Sequence, residues 1–144
     1  MKLKRIDIKM KIEEQVLSIE QMKHLQELGV DTSDASMVWL DFEDNEPMEV
    51  AVFIPEVMLG YAQYKLYPTY TIGDLIEKLP KSIDIGYEEY NLEILIKWED
   101  TVVYYTNGRD YCPFSYSQSS LIDSLYGILC SIAENHKELL VIKK

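Results

Sequence analysis

The stretch Ser120 to Glu134, SLIDSLYGILCSIAE, constrains the fold of this chain more than any other. On a helical projection its polar positions, Ser120, Asp123, Ser124, Gly127, Ser131 and Glu134, all fall within an arc of about 100°. Leu121, Ile122, Leu125, Tyr126, Ile128, Leu129, Ile132 and Ala133 fill the remaining circumference. A helix that is apolar over most of its surface must be wrapped by other elements, so this segment is expected to be a central core helix. Ser120 and Asp123 have the spacing of a capping box, and Asn135-His136-Lys137 marks the far end, where positive charge suits the helix dipole.

With 144 residues the chain has the size of one domain, 1–144, able to bury about two-thirds of its unfolded surface. An apolar content of 47% excludes wholesale disorder, and no repeat or low-complexity linker divides the sequence. Cys112 and Cys130 form neither a metal-type spacing nor a disulfide framework. Residues 1–12 alternate Ile6, Ile8, Met10 and Ile12 with charged groups, which reads as an edge strand or as a basic N-terminal extension preceding a natural start at Met10. No signal-type apolar run follows them, and no segment approaches the ~18 residues of a membrane span, so the expected location is the cytoplasm, without a membrane partner.

Further along, Ser18 and Gln21 form a capping box with Leu17 and Met22 as its staple, opening a helix over Ile19 to Leu28 that Gly29 stops. Met37 to Phe42 and Met48 to Ile54 read as a hairpin, while Glu56 to Thr69 gives mixed signals and no assignment. Thr71 and Asp74 cap a short helix ending before Pro80. Tyr90 to Trp98 has a strand's alternation, with Tyr90, Leu92, Ile94, Ile96 and Trp98 on one face. Thr101 to Thr106 returns beside it, and Asn107-Gly108 is suited to a tight turn into a third strand toward Phe114. Leu139 to Ile142 offers a last short strand. This order lacks a βαβ rhythm and predicts an α+β domain: an antiparallel sheet of about five strands with two or three helices, the C-terminal one being the core helix.

The charge narrows the partners. A net charge of -11 argues against binding a nucleic-acid backbone, which draws its affinity from Lys and Arg. The acidity is uneven: no Lys or Arg lies between Lys23 and Lys65, while nine carboxylates do, including Glu43, Asp44, Glu46 and Glu49. These four are candidates for docking a basic protein, against the alternative of a solvated turn that protects a sheet edge. A calcium loop starting at Asp41 fails, because Glu46 stands where glycine is needed and Val52 where a bidentate glutamate is needed, and no metal or cofactor is expected.

Tyrosines supply the second candidate. Tyr61, Tyr64, Tyr67 and Tyr70 recur every third residue, a period that lines rings along one edge of an extended segment able to stack on a sugar, a base or a partner peptide. The alternative is that they plug loops and the sheet edge. Catalytic signatures are missing: His24 and His136 carry no motif, Cys112 has nothing nearby to lower its pKa, and there is no G-x-S-x-G, glycine-rich phosphate loop or H-E-x-x-H. An enzyme therefore has no pattern in its favour.

Glu27-Leu28-Gly29-Val30-Asp31-Thr32-Ser33, Tyr70-Thr71-Ile72-Gly73-Asp74-Leu75-Ile76 and Leu121-Ile122-Asp123-Ser124-Leu125-Tyr126 resemble small bacterial proteins often encoded in prophages or other mobile elements. That group has no assigned activity, so the resemblance implies only an intracellular accessory protein. The expected function is a protein-interaction module using the acidic surface and the tyrosine-rich segment. The alternatives are a small-molecule, sugar or nucleotide binder using the tyrosines, or an acidic inhibitor or immunity-type protein.

Overall fold

The computed structural model describes residues 12–42, 47–53, 65–109 and 111–140. The first helix, α1 (Ile19–Glu27), starts where two residues cap each other: the Gln21 N–H donates to Ser18 Oγ at 3.1 Å and the Ser18 N–H to Gln21 Oε1 at 2.9 Å. It stops at Gly29, whose φ of 86° turns the Gly29 and Val30 N–H groups back onto the carbonyls of Gln26 and Leu25. The second helix, α2 (Ile72–Lys78), has the reciprocal cap expected of Thr71 and Asp74, and ends one residue before Leu79-Pro80.

The strands β1 (Met37–Asp41), β2 (Glu49–Val52) and β3 (Lys65–Thr69) form an antiparallel sheet in the order β2-β1-β3. A second antiparallel sheet, β4 (Ser82–Ile85), β5 (Glu88–Ile96), β6 (Thr101–Thr106) and β7 (Ser115–Gln118), runs in chain order. The last helix, α3 (Leu121–Asn135), packs against β6 and β7. The class is α+β, and the C-terminal helix is the core helix. The strands differ from a single sheet of about five in being divided between two. Each sheet has its own apolar centre: Val38 and Leu40 anchor a small cluster in the first, while α1, α2, α3 and the second sheet share the main core.

Within α3, Leu125, Ile128, Leu129 and Ile132 are fully buried, and each such side chain contributes roughly 1.5–3 kcal/mol. The polar arc is buried in part too. Gly127 lies against the Tyr116 ring of β7, and Ser124 Oγ donates to Thr101 O at 2.6 Å while accepting from the Gln118 N–H at 3.0 Å. The helix thus presents its small polar residues to the sheet, where their size permits close approach, and sends Asp123 and Glu134 to solvent.

Residues 65–69 and 82–85, to which the sequence assigns no element, are strands, and two expectations shift: the third strand of the meander is 115–118 rather than 109–114, and residues 137–140 form a 3-10 turn, with 141–142 outside the described residues. The alternating segment 1–11 also lies outside them.

Candidate functional site

Of the four tyrosines in the period-three run, Tyr61 and Tyr64 lie outside the described residues, and the other two do not share an exposed edge. Tyr67 is half-buried on β3, opposite Trp39, with Lys23 Nζ 6.0 Å from its ring centroid. Tyr70 is fully buried, and its hydroxyl is shared between Asp31 O at 2.7 Å and Asp34 Oδ1 at 2.6 Å. Burial, and then the Asp34 carboxylate, push this hydroxyl's pKa well above the usual value. Tyr70 is therefore a core residue rather than part of a binding strip. Strand geometry explains the change, since a period of two replaces a period of three across 65–69. The hollow beside Tyr67, lined by Ile19, Met22, Lys23 and Pro68, holds about 80 Å³, well below a sugar or nucleotide site.

Among the acidic candidates, Glu43, Asp44 and Glu46 lie outside the described residues, and Glu49 is exposed on β2 opposite Leu40. Asp34 is already engaged by Lys78, whose Nζ lies 3.3 Å from Oδ2 and also donates to Asp31 O. The Ser33 N–H holds the Asp31 carboxyl below the usual carboxylate range.

A hollow of about 660 Å³ lies between the end of α2, β4 and the C-terminal 3-10 turn. Its two lysines are committed elsewhere, Lys78 as above and Lys81 to Ile76 O. Among the described residues no three His, Cys, Asp or Glu side chains could hold a metal ion, and no helix is long and apolar enough to cross a membrane. Cys130 is buried, which pushes its thiol pKa up, and Cys112 is exposed.

What stands out is the far end of β5. The alternation read from Tyr90 to Trp98 is present, but its cover is not. Tyr90 is buried and Leu92 packs on the main core, whereas Ile94, Leu95, Ile96 and Trp98 are 37%, 45%, 73% and 100% exposed. The reason is a mismatch of lengths. β4 pairs with Glu88 to Asn91 only, and its last backbone contact is the Leu92 N–H to Lys81 O at 2.9 Å. On the opposite flank β6 continues to pair, matching Ile94 with Val103, Leu95 with Val102 and Ile96 with Thr101.

Backbone parity makes this flank chemically specific. Leu92 faces β4 and Lys97 faces the β6 side, where its N–H donates to Asp100 O at 2.8 Å. The N–H and C=O groups of Ile94 and Ile96 consequently point to the flank where β4 has ended and no other described strand runs. A row of open backbone groups beside exposed apolar side chains is a template for strand addition. On the outer face Glu93 is positioned by the Tyr104 hydroxyl, which donates to it at 2.8 Å. That hydrogen bond raises the Tyr104 pKa. The sequence signal for this site is the length of the apolar alternation, nine residues of strand against four in β4. Compared with protein-family models, with curated proteins and with solved structures, the chain matches none.

Proposed function

We propose that this protein is an interaction module that binds an extended polypeptide segment along the open flank of β5. The observation that carries the reading is the coincidence, over Ile94 to Trp98, of edge backbone with no strand partner among the described residues and exposed apolar side chains. Single exposed apolar residues are ordinary, but Ile94, Ile96 and Trp98 share one face at the uncovered end of β5 and its following bend, with Leu95 exposed on the other face, an arrangement of the kind that partners cover. Ile94 and Ile96 would supply main-chain hydrogen bonds, and Trp98 the large anchoring ring. The acidity between Lys23 and Lys65 supports a supplementary role, in which long-range attraction favours a basic partner.

The testing variant is Ile96→Pro. The Ile96 N–H lies on the open flank, so proline removes a donor that the folded chain does not use among the described residues while denying it to an incoming strand. A partner captured from the source cell by the wild-type chain is expected to be lost by Ile96→Pro at unchanged circular dichroism. Equal capture by both chains overturns the proposal.

A further inference from the structure

We infer that the strand received by β5 is β5 of a second copy, antiparallel to the first about a two-fold axis at Leu95. The inference rests on reading this flank as a docking edge, and adds the identity of the occupant.

Two independent constraints, backbone facing and charge, meet at one register. Hydrogen-bonded pairs across an antiparallel edge can form only between residues whose backbone groups face that edge, here Ile94 and Ile96. Setting Ile94 opposite Ile96 of the second copy, and the reverse, makes two such pairs. Leu95 then meets Leu95 of the second copy. On the same outer face Glu93 falls opposite Lys97 of the second copy, twice by symmetry. Glu93 is already oriented by Tyr104, and Lys97 has no ion-pair partner among the described residues.

The adjacent registers are worse. A shift of two residues toward the turn places Glu93 opposite Glu99 of the second copy, a like-charge pair. The opposite shift needs the Leu92 flank, which Lys81 occupies. In the favoured register the pairing runs only from Glu93 to Lys97, short of the Leu92 flank that Lys81 occupies, and the exposed Trp98 ring, one residue beyond, comes up against the end of β4. The pairing is isologous and therefore closed. Its edge is short, so the dimer is expected to dissociate in a range on the order of micromolar rather than to be obligate.

The test is sedimentation velocity on the full chain from about 1 to about 200 μM, a span that brackets a weak dimer. The wild type should shift from monomer to dimer, and Ile96→Pro should stay monomeric. Glu93→Lys and Lys97→Glu should each weaken dimerisation about tenfold by setting like charges opposite each other, and the double exchange should recover it. A wild type that stays monomeric throughout, a dimer indifferent to Ile96→Pro, or a double exchange no better than the singles would each overturn the inference. If the wild type is monomeric while Ile96→Pro still loses a captured partner, this inference falls and the strand-binding reading stands.

Discussion

The Tyr70 hydroxyl lies 2.6 Å from Asp34 Oδ1, and through this contact a buried ring on the main core holds the loop that precedes β1. The same hydroxyl lies 2.7 Å from Asp31 O, and Lys78 Nζ reaches both acidic residues from α2. Tyr70→Phe leaves the ring in place but strips the loop of that tether, at an expected cost of about 1–3 kcal/mol. The pH dependence has a definite sign. Folding raises the Tyr70 pKa above its ordinary 10.0, so its contribution is complete below that pH and is lost as pH rises through the folded value. Urea midpoints measured upward from neutral pH should fall beyond about pH 10, and less steeply in Tyr70→Phe than in the wild type.

A second prediction concerns Gly127. A Cβ built there would sit 2.1 Å from Cδ1 of Tyr116, well inside contact distance of a ring that β7 holds against the helix. Alanine normally favours a helix by about 1 kcal/mol over glycine, but here overpacking should reverse the sign and cost about 1–3 kcal/mol. Thermal unfolding of Gly127→Ala should show the loss. Combining it with Tyr116→Ala should cost less than the sum of the two single changes.

Ser124 gives a third. It is fully buried, and its hydroxyl ties α3 to the Thr101 carbonyl and the Gln118 N–H. Ser124→Ala leaves both groups short of a partner, an expected cost of about 1–3 kcal/mol by denaturant unfolding. Ser131→Ala, changed on the same polar arc but only partly buried, should be close to neutral.

These two residues show where sequence reasoning ran out. The arc containing Ser124 and Gly127 is visible in the helical projection, but its polarity does not reveal that small residues there admit a strand rather than solvent. Local signals read correctly where the chemistry was local: the caps at Ser18 and Thr71, the stop at Gly29, and the hairpins β1-β2 and β5-β6. The segments that were missed are strands by pairing rather than by propensity. β7 is Ser-Tyr-Ser-Gln, ordered because Tyr116 packs on α3 and its backbone pairs with β6. β3 carries Pro68, and β4 has only four residues. The open end of β5 was hidden for a different reason. The alternation from Tyr90 to Trp98 is the same whether a neighbour covers it or not, and only the length of β4 distinguishes the two cases.

The fourth prediction follows the open edge directly. In dilute solution the amides of Ile94 and Ile96 should exchange with solvent much faster than those of Val103 and Tyr105, whose side chains lie fully buried under α3. Raising the protein concentration should slow the first pair alone and move Trp98 emission to shorter wavelength. Unchanged exchange and emission across the concentration series would contradict edge pairing.

One border of each sheet, β3 in the first and the uncovered end of β5 in the second, stands in an opposite chemical state to the other. Just past β3 the Tyr70 carbonyl accepts from the Leu17 N–H, away from β1, and alternation places the Pro68 nitrogen on that same outward side, where it has no hydrogen to offer. That border repels a guest strand, while the one at Ile94 and Ile96 is open to it, and the inferred two-fold pairing would use up the opening in both molecules at once. On that pairing growth at this border would stop at two molecules, which would give a chain with bare apolar rungs a way to cluster without seeding a fibre.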